Sequence, residues 1–203
     1  MSSLGFDKRV DAILRAIREA YNLNKIIPAA ASNSGSLDLE KRVALPANTH
    51  GLVLSIQPAT GYSDKPLTSP TGSYGDHNLM ILGEEIRAAW LLSAGESNGN
   101  TRYVSGSSFA TPLTAGIAAL VLEFSRQKAK NVFSISEKHR AVLWSHRGIR
   151  EIFQYVSNIN DMSTHSGYCT ISPWKLLDYK RSYEGFISEI EKLTFDSPAA
   201  LSE

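Results

Sequence analysis

Apolar residues recur near the start of the chain at Val10, Ile13, Leu14, Ile17 and Tyr21. That spacing is one face of a helix over residues 7–21, with Asp7 as its N-cap and Asn22 and Asn24 suited to its exit. The pattern then becomes continuous. Ile26-Ile27-Pro28-Ala29-Ala30-Ala31 reads as a short buried strand, and Leu52-Val53-Leu54-Ser55-Ile56 as a second over 51–56. Pro28 is awkward in a central strand because it has no N–H for the ladder. Helix and strands separated by crossover-length connections predict an α/β fold, a parallel sheet flanked by helices.

Residues 57–77 are rich in Pro, Gly, Ser, Thr and Asp and read as a long loop. Residues 79–82 and 86–90 predict two short strands about the turn Gly83-Glu84-Glu85, with a polar loop over 93–101. A long apolar helix is expected from Ser108 to about Lys128, where Ala115, Gly116, Ala118 and Ala119 allow close packing on the sheet. Its apolar run, 113–122, falls short of the ~20 residues of a bilayer span and predicts a core helix. Residues 144–156 form an amphipathic pattern, with Ile149, Ile152, Phe153 and Val156 on one face and Ser145 as cap. A compact apolar hook follows at 173–177, then a last helix over 183–195 and a frayed tail over 196–203. The expected division is a main unit over 1–130, a helical extension packed on it over 131–180, and a terminal helix and tail over 181–203.

The chain has 203 residues, enough for one domain with a sizeable core. Hydrophobic residues at 42% and charged residues at 20% place it among soluble globular proteins. The net charge is +1 with no basic block, which argues against a nucleic-acid partner. The lone cysteine, Cys169, permits no disulfide within the chain and makes no metal site. No metal or other cofactor is expected, and no Asp-rich loop argues for calcium. The first residues contain no apolar secretory core, so a cytoplasmic location and no membrane partner are expected.

The strongest candidate chemistry lies in Gly106-Ser107-Ser108-Phe109-Ala110-Thr111-Pro112. A serine that opens a helix sits at the positive end of the helix dipole, where developing negative charge is stabilised. Capping alone would also suit a serine there. The segment resembles the serine motif of the subtilases, Gly-Thr-Ser-x-Ala-x-Pro, with Gly106, Ala110 and Pro112 in place and Ser107 where that family usually has Thr. The resemblance implies that Ser108 is the nucleophile. Ala29-Ala30-Ala31-Ser32-Asn33-Ser34-Gly35 resembles the family's Ala-Ala-Gly-Asn-x-Gly segment, with Ser32 in place of a Gly. By that likeness the Asn33 amide and the Ser108 N–H hold the oxyanion. Ser3-Leu4-Gly5 is similar to the Ser-Leu-Gly strand that lines the substrate in the family.

The likeness covers most of residues 1–180, and its C-terminal part looks like the intracellular subtilase-like domains of filamentous fungi. It implies a three-layer subtilisin-like fold, incomplete at the N-terminus, and serine-type endopeptidase activity on peptide or protein substrates. A serine hydrolase of this kind also needs a His base and an Asp to orient it. The family carries both upstream of the oxyanion Asn, and no matching Asp-Thr-Gly or His-Gly-Thr occurs here. His50 reads as a loop or strand-edge residue, and His77 beside Asp76 lies in a loop. His139 and His146, among Lys and Arg, are expected to be exposed, and His165 falls in a polar loop. The acid–base pair is therefore expected from a missing N-terminal part of the catalytic domain. The alternative is a catalytically inactive subtilase-like binding or signalling module.

Overall fold

A computed structural model describes residues 1–33, 43–61, 78–90, 100–126, 137–157, 168–173 and 188. The two apolar runs near the start become neighbours in a parallel sheet. β1(Pro28–Ala30) pairs with β2(Leu54–Ala59), Pro28 beside Leu54 and Ala30 beside Ile56. β3(Asn78–Leu82) follows beside β2 and β6(Tyr168–Thr170) beside β3, all parallel, in the order β1-β2-β3-β6. Ser2 adds a parallel bridge to Ala29 on the outer side of β1. Pro28 is tolerated because of that outer side. Its carbonyl accepts from the Ser2 N–H, and a parallel-strand residue turns its nitrogen the same way, so β2 loses no ladder bond to it.

Strand residues alternate between two covered faces, as expected for a parallel sheet. α1(Asp11–Asn22) covers one face, with Ile17 packed among Ala29, Ala31, Val43, Ala47 and Val53. The other face carries Leu54, Ile56, Leu79 and Ile81 under Ala110, Ala118 and Val121 of α2(Ser107–Arg126). α3(Glu137–Leu143) and α4(His146–Tyr155) close that side. Leu143, Ile149, Ile152, Phe153, Val156, Cys169 and Ile171 join the same core. The stretch beyond 130 thus supplies a strand of the sheet as well as helices.

Several boundaries differ from the sequence reading. α1 begins at Asp11, not Asp7, and Val10 caps it without a side-chain bond. The preceding chain stays extended because Phe6 and Leu45 exchange backbone bonds of 2.8 and 3.0 Å. β2 runs later than 51–56, since residues 50–52 form a turn and the strand starts at Leu54. The segments 79–82 and 86–90 are not a pair. The Gly83 N–H donates to Ala59 at 2.9 Å, prolonging β3 along β2. Glu85, at φ 52°, then redirects the chain. β4(Ile86–Ala89) pairs instead with β5(Thr101–Val104), antiparallel, within a stretch whose start was read as loop. The Ser145 cap is present, its hydroxyl accepting from Gly148 N at 3.0 Å. His146 is buried rather than exposed, its ring edge-on to Tyr21 of α1 at 5.6 Å. The helix expected over 183–195 lies outside the described residues apart from Ser188, and His77 and His165 lie outside them as well.

α2 is long and apolar enough to cross a membrane by length and composition, but its Ala110, Thr114, Ala118 and Val121 side is buried on the sheet. Its opposite side is bare: Leu113 is 40% and Leu120 55% exposed, and Gly116 between them is exposed too.

Candidate active site

The serine loop is shaped by two glycines. Gly106 has φ 136°, a backbone region that disfavours a side chain, and its N–H donates to the Gly83 carbonyl at 2.7 Å. Gly83 in turn leaves no room for a Cβ, which would lie 2.6 Å from Pro58 Cβ and 3.0 Å from Ala110 Cβ. Sequence reading placed Gly83 only as a turn residue, and its role as the anchor of the serine loop emerges from this crowding. The Gly106 carbonyl accepts from the Phe109 and Ala110 N–H groups, so α2 starts at Ser107, one residue before Ser108. Pro112 consequently lies in the second turn of α2, where its missing N–H leaves the Ser108 carbonyl without its helical donor.

The first N–H groups of a helix have no acceptor within it. Here the Ser107 N–H finds one across the fold, donating to Asn33 Oδ1 at 2.7 Å, and the Ser107 hydroxyl donates to the same oxygen at 3.0 Å. Asn33 follows the C-terminal end of β1, so the parallel sheet delivers it to the helix start. Among the described residues no acceptor meets the Ser108 N–H and no partner meets the Asn33 amine. Thr111, whose hydroxyl donates to the Ser107 carbonyl at 2.8 Å, steadies the same turn.

Ser108 is half-buried, and its hydroxyl donates to the Ser3 carbonyl at 3.0 Å. The segment bearing Ser3 is held at both ends. Ser2 N–H donates to Pro28 and Ala30 N–H to Ser2, both at 2.9 Å, while Phe6 is tied to Leu45. Between them Leu4 stands 72% exposed, and a Cβ on Gly5 would lie 2.6 Å from Ala44 Cβ. The structure therefore brings together the three segments singled out in the sequence: Ser3-Leu4-Gly5, Asn33, and the helix start at Ser107 and Ser108.

A profile of the subtilase family, peptidase S8, matches residues 2–152. The chain belongs to the subtilases. The subtilisin-like protease het-Q2 of Podospora anserina is 33% identical over 114 residues, which are 56% of this chain and 30% of that protein. The prenylagaramide maturation protease PagA shares the fold at a TM-score of 0.60 and 21% identity, covering 93% of this chain and 60% of its own. The PatG macrocyclase in complex with peptide matches at 0.58 and 19%, covering 95% of this chain and 50% of its own. These likenesses establish a subtilisin-like fold and a subtilase-family peptidase domain. The chain spans about a third of the curated relative and half or somewhat more of these solved structures.

The histidines of this subtilase chain lie apart from Ser108 where they are described. His50 precedes β2, whose start is level with Pro28, at the end of the strands opposite Asn33. His146 packs on Tyr21. Among the described residues no group of His, Cys, Asp and Glu is placed to hold a metal ion. Burial pushes the Cys169 thiol up from its ordinary pKa, against the smaller opposing pull of Arg150.

Proposed function

We propose that this chain is the serine-bearing part of a subtilisin-like serine endopeptidase. Ser108 is its nucleophile, the Asn33 amine and the Ser108 N–H form the oxyanion hole, and Ser3, Leu4 and Gly5 line the substrate. The observation that carries the reading is the meeting of these groups. Two donors that meet no acceptor among the described residues, Asn33 Nδ2 and the Ser108 N–H, belong to the residue that Ser107 bonds and to the neighbour of Ser107, beside a serine hydroxyl at a helix start.

In the reaction Ser108 Oγ attacks the scissile carbonyl carbon, and the carbonyl π electrons move to its oxygen, which the two donors receive. The Oγ proton passes to an imidazole and from it to the leaving amine, so that the C–N bond breaks and an ester on Ser108 remains. Water, activated by the same imidazole, hydrolyses that ester. The imidazole and its Asp belong to the N-terminal part of such a catalytic domain, which docks on the bare side of this chain. That side fits a polypeptide. Among the described residues no strand pairs with residues 2–5 on the edge away from β1, where the Ser3 carbonyl accepts only from the Ser108 hydroxyl. Leu113, Gly116 and Leu120 form an open apolar stripe on α2. Met1 joins the two regions, lining a cavity of about 640 Å³ with Pro28, Ala115, Ala119, Leu122 and Trp144.

A second reading is an inactive binding or signalling module. It is favoured by the Ser108 hydroxyl donating to a peptide carbonyl rather than to an imidazole. The transcript upstream of Met1, followed by peptide-cleavage assays of this chain paired with the encoded upstream segment, separates the two. The enzyme reading expects Asp and His motifs in frame. It also expects cleavage abolished by Ser108→Ala and lowered in kcat by ~10²–10³ in Asn33→Ala, with KM little changed. A transcript that starts at Met1 and yields a soluble, inactive product overturns it in favour of the module.

A further inference from the structure

β5 runs straight into the serine loop through Val104, Ser105 and Gly106. The base of its ribbon with β4 is tied to that loop twice. Gly106 N–H donates to the Gly83 carbonyl at 2.7 Å, and Glu85 N–H to the Ser105 hydroxyl at 3.0 Å. Directly opposed residues of an antiparallel pair share a face. The register therefore puts Arg87, Ala89, Thr101 and Tyr103 on one face, and Ile86, Ala88, Arg102 and Val104 on the other. Trp90 N–H donates to the Asn100 carbonyl at 2.9 Å, so the backbone groups of Thr101 and Tyr103 face the outer edge of β5. Thr101, Arg102 and Tyr103 are all exposed, and among the described residues β5 pairs with β4 alone.

Two arginine heads are held at this strand. The Arg102 guanidinium lies 5.2 Å over the Trp90 ring. On the opposite face Arg87 reaches across the ribbon, its Nε donating to Thr101 Oγ1 at 3.1 Å. Among the described residues no carboxylate pairs with either arginine. The ribbon residues 86–90 and 100–104 contain no Asp or Glu.

We propose that the outer edge of β5 docks an extended acidic segment of the peptide substrate, recognised by two consecutive carboxylate side chains. The inference rests on the enzyme reading only in calling that peptide a substrate. The physical reason is spacing. Successive side chains of an extended chain point to opposite faces, as those of Thr101 and Arg102 do. A strand laid along β5 presents one carboxylate to Arg87 on the Thr101 face and the next to Arg102 on the Trp90 face, while its backbone pairs with the open edge. A guanidinium carries five N–H donors in a planar fork, and Arg87 spends only its Nε. Carboxylates two positions apart share a face and reach one arginine only. Six positions separate Arg102 from Ser108, at most ~20 Å of extended chain, so the acidic pair lies within about six residues of the bond that is cut. Two arginines on a chain of net charge +1 suit a short acidic peptide better than a nucleic acid.

The test titrates the full chain with the blocked peptide Gly-Thr-Ser-Glu-Glu-Ser-Thr-Gly, following the Trp90 indole 15N–1H signal, assigned by its loss in Trp90→Phe, and the amides of residues 101–103. Shifts saturating at about millimolar peptide are expected. A Gln-Gln peptide should not saturate, and one with Glu-Ser-Glu should bind more weakly. Arg102→Gln and Arg87→Gln should each weaken binding by roughly threefold to tenfold. Arg9→Gln, which removes the same charge elsewhere, should change nothing. No shift at millimolar peptide overturns the proposal, as do equal affinities for Glu-Glu and Gln-Gln, equal affinities for Glu-Glu and Glu-Ser-Glu, or equal losses in the Arg9 and Arg102 variants. Tighter binding of an oligothymidylate overturns it in favour of a general polyanion site. None of these results touches the enzyme reading. Conversely, cleavage by the chain paired with its upstream segment that Ser108→Ala abolishes, yet that treats Glu-Glu and Gln-Gln substrates alike, overturns this inference alone.

Discussion

The Ser108 hydroxyl donates to the Ser3 carbonyl at 3.0 Å, across 105 positions of sequence. A peptide carbonyl holds a hydrogen bond but does not take the proton that attack must release. The purified chain alone is therefore expected to show no peptide cleavage that Ser108→Ala abolishes. Urea melts should find that variant destabilised by about 0.5–1.5 kcal/mol for the lost bond. Cleavage that vanishes with the substitution would reveal a base within this chain.

Gly106→Ala should be the more damaging change in the same loop. It places a methyl group at φ 136° and against the Asn33 amide. Strain of this kind costs about 1–3 kcal/mol, readable as a shift in the denaturation midpoint with unchanged slope. A variant as stable as wild type would show that the loop has another conformation available.

Gly5→Ala tests the segment proposed to line the substrate. The added carbon would lie 2.6 Å from Ala44 Cβ, too close to persist, so residues 2–6 must shift on their anchors. Overpacking of this sort costs about 1–3 kcal/mol. Amide exchange should quicken at Ala30 and Leu45, whose N–H groups donate to this segment. Unaltered exchange at both would sink the idea that Gly5 is needed for fit.

Phe153 and Leu120 offer a contrast. Phe153 is fully buried in the main core, while Leu120 is 55% exposed. Phe153→Ala should cost about 3–5 kcal/mol, and Leu120→Ala less than about 0.5 kcal/mol in the isolated chain. If an upstream segment docks over α2, Leu120→Ala should weaken that association, as measured by titration calorimetry.

The Cys169 thiol is held above its ordinary pKa by burial, with Arg150 opposing. A folded state that keeps its proton to higher pH loses stability as pH rises through the unfolded thiol's value, about 8.5. Wild type should therefore lose more stability than Cys169→Ala between neutral pH and about pH 10. The native thiol should also react slowly with a disulfide reagent at pH 8 and fast in denaturant. Equal rates in both states would place the thiol at the surface.

The serine turn, Asn33 and the Ser3 segment were legible as candidates because each is a short local motif that resembles a segment of one family. The cap at Ser145 and the buried face of Ile149, Ile152 and Phe153 were legible for the same reason. Short strands were not. β5 and β6 span four and three residues, too few for a period to register, and they exist because β4 and β3 offer them partners. The start of α1 was missed because Phe6 spends its backbone bonds on Leu45, far along the chain. The burial of His146 likewise depends on Tyr21, which no window around His146 contains.

The family match ends at residue 152, inside α4, yet the core continues through Phe153 and Val156 to Cys169 and Ile171. What the family profile spans is thus shorter than what packs into one core. A recombination break at the limit of likeness would sever α4 and strip β3 of the strand beside it. A chain cut at residue 152 would therefore leave the β3 edge uncovered and Leu143 and Ile149 short of core neighbours, so the limit of the profile is no place to divide the fold.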